Sequence, residues 1–330
     1  MNLIEDIVLF NLGKSTSFNT LNWVGSLQYD QYIIGSSRRK NDIINIAKIT
    51  SIANVLHSAQ KRGRKLTLRE LYYHNSWLFK SQSQVNRIVQ NFSEILQIPR
   101  ISFGLFPSPK GIIGGRIKLI YKNSDFLDVE ELGVSGATIT DIFDPNDSKY
   151  IIKTNVKYLL VIEKASIFQY LMEREIYNRI PCLIITGKGF PDISTRKLVS
   201  DIICKSGITA LYLGDFDPHG INIYLTYVRG SSNFESQMAA CPSIYYLGIH
   251  FEDTELIPSD TRIILSEKDR STLKSLIEDP TIKECEILCR QCKLMYEHNY
   301  KCELEAFQSI SSDYLVNIYL PSKILKRTWI

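Results

Sequence analysis

Residues 210–220 read Ala-Leu-Tyr-Leu-Gly-Asp-Phe-Asp-Pro-His-Gly, and the rest of the chain is best interpreted outward from them. An apolar run suited to a buried strand ends in Asp215 and Asp217, after which Pro218 stops the strand. Residues two apart in an extended chain point to the same side, so the two carboxylates can converge on one point. Like charges at that separation repel unless a cation lies between them, and a small hard cation prefers oxygen ligands. An acidic turn after a strand is the alternative for an isolated Asp-x-Asp.

A third carboxylate, Glu163, directly follows an earlier apolar run at residues 158–162. Parallel strands of open α/β sheets present functional groups at their carboxyl ends, so Glu163 is expected to meet the aspartate pair at one edge. Taken alone, Glu163 could be an ordinary acidic residue favoured at a helix N-terminus by the helix dipole. Together, Glu163, Asp215 and Asp217 predict a metal site.

The second half of the chain alternates strand and helix patterns, which predicts a parallel sheet flanked by helices on both faces. The predicted strands are 158–162, 182–186, 210–213 and 244–249, and the predicted helices are 165–178, 192–206 and a turn from 221. A glycine loop at 187–192 precedes one helix, a position that binds phosphate. Phe190 in that loop is expected to be an exposed wedge. The last 60 or so residues form a predicted helical extension.

The first half of the chain predicts three helices followed by two strands, the pattern of a winged helix-turn-helix. The helices are predicted from residue 42, from Leu68 after a Thr67/Glu70 capping box, and at 83–96. Strand-like segments at 100–105 and 116–121 flank a loop whose Lys110 could reach a phosphate backbone. Hydrogen-bonding side chains on the outer face of the third helix suit a DNA groove: Gln84, Asn86, Arg87, Gln90 and Asn91. A generic small α/β subdomain is the alternative.

The length of the chain suggests two domains, although a single large domain is the alternative, and the composition is typical of a soluble protein. The chain has 330 residues, 44% of them hydrophobic, and no apolar run approaches the roughly 20 residues that span a membrane. With no signal-peptide pattern at the N-terminus, we expect an intracellular protein with no membrane partner. The net charge is only +4, but basic runs at 38–40 and 61–65, the second containing Arg64, suggest a polyanion partner. Solvated loops would also explain these runs.

We divide the chain by these patterns into an N-terminal arm at 1–40, a winged-helix domain at 41–125, an acidic connection at 126–150 and a metal-binding domain at 151–330. The arm is a possible docking segment for a partner. An acidic site beside a DNA-binding module leaves two chemistries: the metal activates water for hydrolysis, or it orients a phosphodiester for attack by a side chain.

Tyr73 is the candidate for such a side chain. A phenol needs a base or local positive charge to attack phosphorus. Arg69 lies four residues before Tyr73 on the same helical face and could stabilise both the phenolate and the transition state. The tyrosine doublet alone is weak support, since another occurs at 245–246.

Several ordered motifs resemble the A subunit of type IIB DNA topoisomerases (topoisomerase VI) and its meiotic relative, the Spo-eleven double-strand-break protein. The resemblance runs from about residue 41 to 330 and rests on six motifs: Leu68-Arg-Glu-Leu-Tyr-Tyr73, Ser108-Pro-Lys-Gly-Ile-Ile-Gly114, Val161-Ile-Glu-Lys164, Thr186-Gly-Lys-Gly-Phe-Pro-Asp192, Gly214-Asp-Phe-Asp-Pro-His-Gly220 and Leu320-Pro-Ser-Lys with terminal Trp329-Ile330. The family implies a catabolite-activator-like winged-helix domain, a Toprim domain, and a symmetric dimer in which each tyrosine faces the partner's metal site.

The resemblance also assigns roles to individual residues. Tyr73 matches the catalytic tyrosine, which forms a 5′-phosphotyrosyl link, and Arg69 matches the arginine one turn before it. Three residues match the acidic Mg²⁺ site: Glu163, Asp215 and Asp217. Lys188 and Phe190 lie in a loop expected to touch DNA. The chain departs from the family pattern at Phe216, where a small residue is usual between the aspartates, and this leaves the local packing open.

Within the family, residues 72–82 and the Ser-Pro-Lys-Gly stretch resemble eukaryotic members, which favours the meiotic branch. Its members act in the nucleus on double-stranded DNA, as a homodimer with accessory recombination proteins. The chain has no Walker motif, so any ATP-driven step needs a separate B-like subunit. Three alternatives stay open: the A subunit of a resealing topoisomerase, a non-catalytic winged-helix DNA-binding protein, and a metal-dependent nuclease.

Overall fold

The computed structural model describes residues 40–106, 110–121, 126–139, 150–230 and 239–330. The predicted N-terminal arm, 1–40, lies outside them apart from its last residue. The described chain forms two compact units, one comprising residues 40–106 and the other beginning at residue 110. No described helix is long and apolar enough to cross a membrane.

The first unit is built from helices. They are α1 (Lys40–Lys61), α2 (Leu68–His74) and α3 (Gln82–Leu96), followed by a 3-10 helix at Arg100–Phe103. The predicted capping box starts α2: Thr67 accepts from the Glu70 amide, and the Glu70 carboxylate accepts from the Thr67 amide. The helices bury one shared apolar core, which includes Ile52, Leu56, Leu71, Val85, Val89 and Phe103.

The outer face of α3 differs from the prediction. Gln84 accepts a hydrogen bond from Lys48 of α1 at 3.1 Å, and Gln90 donates to Glu94 at 2.8 Å. Asn86 is half-buried, while Arg87 is exposed. Packing against α1 therefore takes up part of the face that helical periodicity alone left free for DNA.

The second unit combines eleven described strands with seven α-helices. Its strands are β1 (Ile112–Gly115), β2 (Lys118–Tyr121), β3 (Phe126–Asp128), β4 (Ala137–Thr138), β5 (Tyr150–Lys153), β6 (Tyr158–Ile162), β7 (Cys182–Thr186), β8 (Thr209–Leu213), β9 (Ile244–Gly248), β10 (Ile263–Ile264) and β11 (Tyr300–Lys301). Its helices are α4 (Ala165–Glu173), α5 (Ile193–Ser206), α6 (Pro218–Arg229), α7 (Glu267–Glu278), α8 (Pro280–Glu284), α9 (Glu286–His298) and α10 (Leu320–Lys326).

The central sheet has the order β4-β1-β7-β6-β8-β9. Strands β6 to β9 pair in parallel, and β1 and β4 add antiparallel partners at one side, so the sheet is mixed rather than wholly parallel. The four parallel strands are almost continuously apolar and buried, as expected for strands covered on both faces. The predicted strands at 158–162 and 182–186 are confirmed to the residue.

The predicted wing is wrong. Residues 100–103 form a 3-10 helix, β1 pairs with β7 of the central sheet, and β2 joins a separate antiparallel sheet with β3 and β5. The glycines in β1 allow close packing rather than a loop: a Cβ on Gly114 would lie 2.5 Å from the Met172 sulfur on α4. The boundary between the units consequently falls between residues 106 and 110, not at 125.

The predicted connection at 126–150 is structured where it is described. It contains β3, a 3-10 helix at Glu130–Ser135 and the edge strand β4, and Ile139 is buried. Residues 140–149 lie outside the described chain. Among its described acidic residues, Glu130 and Glu131 are exposed on the 3-10 helix, so this described part is a folded element and not a linker.

The C-terminal extension packs on the same core as the central sheet. Buried side chains from α7, α9, a π-helical turn at Leu315–Tyr319 and α10 join that core, among them Leu273, Met295, Val316 and Leu320. The backbone of Ile330 exchanges two hydrogen bonds, of 2.7 and 2.9 Å, with Tyr246 in β9. The extension thus forms part of the second unit's fold.

Candidate functional site

Glu163 and Asp215 meet at one edge of the central sheet. Strands β6 and β8 are parallel neighbours in register, with Ile162 opposite Leu213, so the residues that follow them emerge side by side. The Asp215 amide donates a hydrogen bond of 3.0 Å to Glu163 Oε2. The expected convergence of these two residues on one edge is confirmed. We call Glu163, Asp215 and Asp217 the acidic edge.

Glu163 occupies a closely fitted recess. Its side chain is buried, and Oε2 also accepts a hydrogen bond from the Tyr212 hydroxyl at 3.3 Å. A Cβ on Gly214 or Gly220 would lie 2.6 or 2.8 Å from the same oxygen. The two glycines of the Gly-Asp-Phe-Asp-Pro-His-Gly motif are therefore required to make room for the Glu163 carboxylate.

Asp215 is buried and bound through both carboxylate oxygens. Oδ1 accepts from the Leu304 amide at 2.8 Å, and Oδ2 lies 2.8 Å from the Lys164 ammonium. The same ammonium contacts Glu305 at 2.8 Å and Glu303 at 3.4 Å. A buried ion pair of this kind holds the aspartate orientation because each oxygen has a fixed partner.

Asp217 and Phe216 have different environments because successive side chains of an extended chain point to opposite sides. Asp217 is half-buried and caps α6 by accepting from the Gly220 amide. Phe216 points into the core, where its ring contacts Phe251 and Tyr300. The bulky residue between the aspartates thus packs as a core residue, which settles the question that the sequence left open.

Burial and neighbouring carboxylates raise the pKa values of Glu163 and Asp215. Burial, followed by the charges of Asp215 and Asp217, raises the pKa of Glu163 to about 8. Burial also raises the pKa of Asp215 to about 6, although the hydrogen bond from Lys164 opposes the shift. Burial disfavours the charged form of Lys164 as well, but its bonds to Asp215 and Glu305 outweigh this effect and raise its pKa. The Lys164 ammonium alone therefore does not offset the cost of ionising Glu163 and Asp215 at the acidic edge.

The donor chemistry of the acidic edge fits a hard divalent cation, because three carboxylates of this kind are preferred ligands of Mg²⁺. The mutual repulsion of the three groups is the physical indication that a cation would be stabilising here. In the described part of the chain the carboxylates are not gathered into a ready-made cluster of three metal ligands. Lys164 instead holds one oxygen of Asp215.

The glycine loop at 187–192 is tied to the acidic edge through the backbone. The Gly189 amide donates to the Glu163 carbonyl at 2.9 Å. Lys188 is exposed with a positive φ of 54°, and the Phe190 ring, 44% exposed, packs edge-on against His219 at a centroid distance of 5.0 Å. Phe190 is therefore an exposed aromatic beside the acidic edge, as expected.

Lys110 belongs to this loop rather than to a wing. Its amide donates to Asp192 at 3.1 Å, and its ammonium donates to the Phe190 carbonyl at 3.0 Å. Lys110 is exposed, so it remains a candidate DNA contact, now from the second unit.

In the first unit, Tyr73 is the accessible member of the tyrosine doublet. It is 59% exposed on α2, whereas Tyr72 is partly buried against the helical core. The Arg69 guanidinium lies 5.8 Å from the Tyr73 ring centroid and 3.5 Å from its hydroxyl oxygen, the outer limit of a hydrogen bond. Arg64 forms an exposed ion pair with Glu70 at 3.5 Å.

The segment 302–305, which lies against the acidic edge, was not predicted from the sequence. A signal for it exists, because Glu303-Leu-Glu305 repeats the carboxylate spacing of Asp215-Phe-Asp217. Lys164 entered the sequence prediction only as part of a motif, and His219 had no predicted role. The position of segment 302–305 depends on the fold of the C-terminal extension, through the backbone hydrogen bonds between Phe216 and Cys302.

Comparison with known proteins gives two family matches in the same order along the chain. Residues 158–324 match the family of Toprim domains from the topoisomerase 6 A subunit and Spo11. Residues 44–105 match the family described as "Type IIB DNA topoisomerase". The first range contains the acidic edge, and the second contains Tyr73 and Arg69.

Individual relatives align over most of the chain. The A subunit of DNA topoisomerase 6 from Arabidopsis thaliana is 31% identical over 300 residues, which cover 89% of this chain and 68% of the relative. Meiotic recombination protein SPO11 of Mus musculus is 31% identical, covering 86% and 72%. The human SPO11 protein is 29% identical, covering 100% and 87%. The chain belongs to the family formed by Spo11 and the A subunits of topoisomerase 6.

Proposed function

We propose that this chain is a DNA transesterase that makes double-strand breaks and initiates meiotic recombination. The observation that carries the proposal is the pairing of the two family matches: one contains an exposed tyrosine with an arginine beside it, and the other contains a buried acidic edge. Relatives from human, mouse, fly and plants are named meiotic recombination proteins, which supports the meiotic role. We accordingly expect the protein to act in the nucleus.

In the proposed reaction, Tyr73 is the nucleophile. Its hydroxyl oxygen loses a proton and attacks a backbone phosphorus, and the bond from phosphorus to the 3′ oxygen breaks. The 3′ oxygen takes up a proton, while the 5′ phosphate stays attached to the tyrosine. Arg69, 5.8 Å from the ring centroid, would stabilise the phenolate and the charge developing on the phosphate. One phosphodiester is exchanged for another, so the cut requires no ATP.

Glu163, Asp215 and Asp217 would hold Mg²⁺ in this proposal. When bound, the ion would neutralise the phosphate charge and help to hold the DNA in line for attack. The chain's own contribution is to position the three carboxylates, through Gly214 and Gly220 around Glu163 and through the helix cap made by Asp217.

DNA binding is proposed for exposed basic and aromatic residues in both units. In the second unit they are Lys110, Lys188 and Phe190, all at the glycine loop. In the first unit they are Arg64 and Arg87, on a helical domain that we propose works as a helix-turn-helix of the catabolite-activator type. The match of residues 44–105 to type IIB topoisomerases supports this assignment.

The proposed partners include a second copy of this chain, because a double-strand break requires two cuts. One tyrosine cuts one strand, so we propose a homodimer on double-stranded DNA, with two-fold symmetry matching that of the duplex. Accessory recombination proteins are proposed as further partners. A topoisomerase VI B-like protein is proposed as well: the cut itself needs no ATP, but any ATP-driven step would need a separate subunit, since this chain has no Walker motif.

The second candidate function is that of the A subunit in a resealing type IIB topoisomerase. It is favoured by relatives from rice and Arabidopsis thaliana that are named as A subunits of DNA topoisomerase 6, at 30–31% identity over 89% of this chain. The two candidates differ in outcome rather than in the cutting step. A topoisomerase would relax supercoiled DNA with ATP and a B-like partner, whereas a recombination initiator would leave broken ends bound to protein.

The proposal is tested by recovering the full chain from meiotic cells and end-labelling any DNA that remains attached under denaturing conditions. Mass spectrometry of the digested adduct should identify a nucleotide on Tyr73. Cells carrying Tyr73→Phe should give no adduct, while Tyr72→Phe serves as the matched control. Breaks with free 5′ phosphates and no attached protein would instead identify a hydrolytic nuclease.

A further inference from the structure

We propose that Glu305 is a positioning residue that holds the Lys164 ammonium aside when a divalent cation binds Asp215. Without metal the Lys164 ammonium binds both Asp215 and Glu305, and with metal it would give up Asp215 and keep Glu305. The inference rests on the metal site of the proposed function and adds a component from the C-terminal extension.

Lys164 lies between Asp215 on one side and Glu305 and Glu303 on the other. Its ammonium is 2.8 Å from Asp215 Oδ2 and 2.8 Å from Glu305 Oε2, with Glu303 at 3.4 Å as a third contact. An ammonium has three donors and no acceptor, so one hydrogen can point to each partner. Any cation that binds the same Asp215 oxygen competes directly with Lys164.

Glu305 is held in place independently of Lys164. Its other carboxylate oxygen accepts a hydrogen bond from the Ser166 hydroxyl at 3.1 Å. Ser166 lies in the first turn of α4, two residues after Lys164, so the lysine and the serine both bind the same carboxylate. Glu305 is thus a preorganised acceptor, which lowers the cost of keeping the ammonium in one position.

The backbone fixes this segment against the acidic edge. Phe216 and Cys302 exchange two backbone hydrogen bonds, of 2.9 and 3.0 Å, and the Leu304 amide donates to Asp215 Oδ1 at 2.8 Å. Residues 302–305 therefore cannot move without moving Asp215. The same segment orients the aspartate and presents Glu305 to its lysine.

The charges around Lys164 predict that Glu305 strengthens metal binding. The Lys164 side chain is only 26% exposed, and an ammonium without a partner in such a position is strongly disfavoured. If Glu305 were neutral, displacing Lys164 from Asp215 would leave the ammonium with Glu303 alone, at a longer distance and a more exposed position. Metal binding would then be weaker, although Glu305 itself is no metal ligand.

The test measures Mn²⁺ binding to the full chain without DNA, by isothermal titration calorimetry at constant pH. We expect Glu305→Gln to weaken binding about fivefold, the effect of losing one partly exposed ion pair. Glu303→Gln is the matched control and should change the dissociation constant less than about twofold. Lys164→Met, which removes the competing cation, should tighten binding about tenfold.

The decisive comparison is the double variant. Because Glu305 acts through the ammonium, adding Glu305→Gln to Lys164→Met should leave Mn²⁺ affinity within about twofold of Lys164→Met alone. Thermal unfolding in EDTA should confirm that every variant is folded. If Lys164 and Glu305 had only a structural role, Lys164→Met and Glu305→Gln would both weaken Mn²⁺ binding. Tighter binding in Lys164→Met together with weaker binding in Glu305→Gln would exclude that explanation.

Four results would overturn the inference: weaker binding in Lys164→Met, a further loss of more than about twofold when Glu305→Gln is added to Lys164→Met, equal losses in Glu305→Gln and Glu303→Gln, or no Mn²⁺ binding by the wild-type chain. None of them depends on DNA cleavage. If Tyr73 proved not to be the nucleophile, the proposed reaction would fail while the expected pattern of Mn²⁺ affinities stayed the same.

Discussion

The backbone amide of Asp215 donates a hydrogen bond to the carboxylate of Glu163, which joins two acidic residues from neighbouring strands at one edge of the sheet. A backbone donor of this kind stabilises a carboxylate without adding a positive side chain. Even so, burial and the two aspartate charges keep the Glu163 pKa well above its ordinary value. The ionised forms of these carboxylates therefore repel one another, and a bound cation would reduce this repulsion.

Replacing Tyr73 with phenylalanine should reduce strand cleavage to the background level. The substitution removes only the phenolic oxygen of a largely exposed side chain, so folding and DNA affinity should be unchanged. Tyr72→Phe should retain most activity because that ring packs partly in the helical core. Denaturing gels of protein-linked DNA measure both variants. Cleavage by Tyr73→Phe but not by Tyr72→Phe would identify Tyr72 as the nucleophile.

The isosteric changes Glu163→Gln, Asp215→Asn and Asp217→Asn should each lower cleavage by about 100-fold or more, because each removes charge from the proposed Mg²⁺ site. Asparagine still caps a helix, so Asp217→Asn should not unfold α6. The effects should be far from additive, since the groups act as a unit. Calorimetry with Mg²⁺ checks the cause: unchanged binding in all three variants would contradict the assignment.

Removing charge at Lys110, at Lys188 or within 61–65 should weaken DNA binding about equally on all sequences. Loss of a single ion pair with a DNA phosphate should reduce the slope of log affinity against log salt by about one unit. Phe190→Ala should instead change which sites are preferred. Lys110→Ala should do both, because its ammonium also holds the Phe190 carbonyl. Fluorescence anisotropy over a salt series measures these slopes, and slopes unchanged in every basic variant would place the DNA elsewhere.

His250 predicts a loss of stability in mild acid. Burial, and then the charge of Lys323, lowers the pKa of His250 to about 4. Its Nδ1 lies 3.0 Å from the Lys323 ammonium, and among the described residues its buried Nε2 has no partner. Below its ordinary pKa the unfolded chain takes up a proton that the folded chain does not. The contribution of neutral His250 to the free energy of unfolding is therefore complete above about pH 6.5. As the pH falls to about 4, this contribution decreases by on the order of 3 kcal/mol.

Denaturant unfolding between pH 4 and 7 checks this sign. His250→Gln cannot take up the proton, so between pH 7 and 4 the wild type should lose stability relative to His250→Gln, whatever the raised pKa values of Glu163 and Asp215 contribute to both chains. An identical pH dependence in the wild type and His250→Gln would assign the acid sensitivity to another group.

Some parts of this fold follow from local sequence, and others do not. The runs 158–162 and 182–186 are predictable because a parallel strand buried on both faces must be continuously apolar. Strand β1 does not follow from local sequence, because its glycines suit a loop equally well and its partner β7 lies some 70 residues further along the chain. Glu163 and Asp215 could be paired because strand ends share an edge. Glu305 could not, because its position is set by the Phe216–Cys302 bridge, which no local pattern encodes.

Mixing two inactive variants should restore partial activity if each tyrosine works with the partner subunit's carboxylates. A heterodimer of Tyr73→Phe and Glu163→Gln chains then has one intact site and one doubly defective site. It should nick one strand without making double-strand breaks, whereas either variant alone stays inactive. Such a composite site would also prevent a free monomer from cutting DNA at random.

Nicked circular plasmid, separated from linear plasmid on agarose gels, measures this complementation. A mixture of Tyr73→Phe with the doubly substituted Tyr73→Phe/Glu163→Gln chain is the matched control. It has no intact tyrosine and should stay inactive. If heterodimers confirmed by native mass spectrometry failed to nick, the tyrosine and the carboxylates would have to act within one subunit. The dimer would then be needed only to bring two complete sites to the two strands.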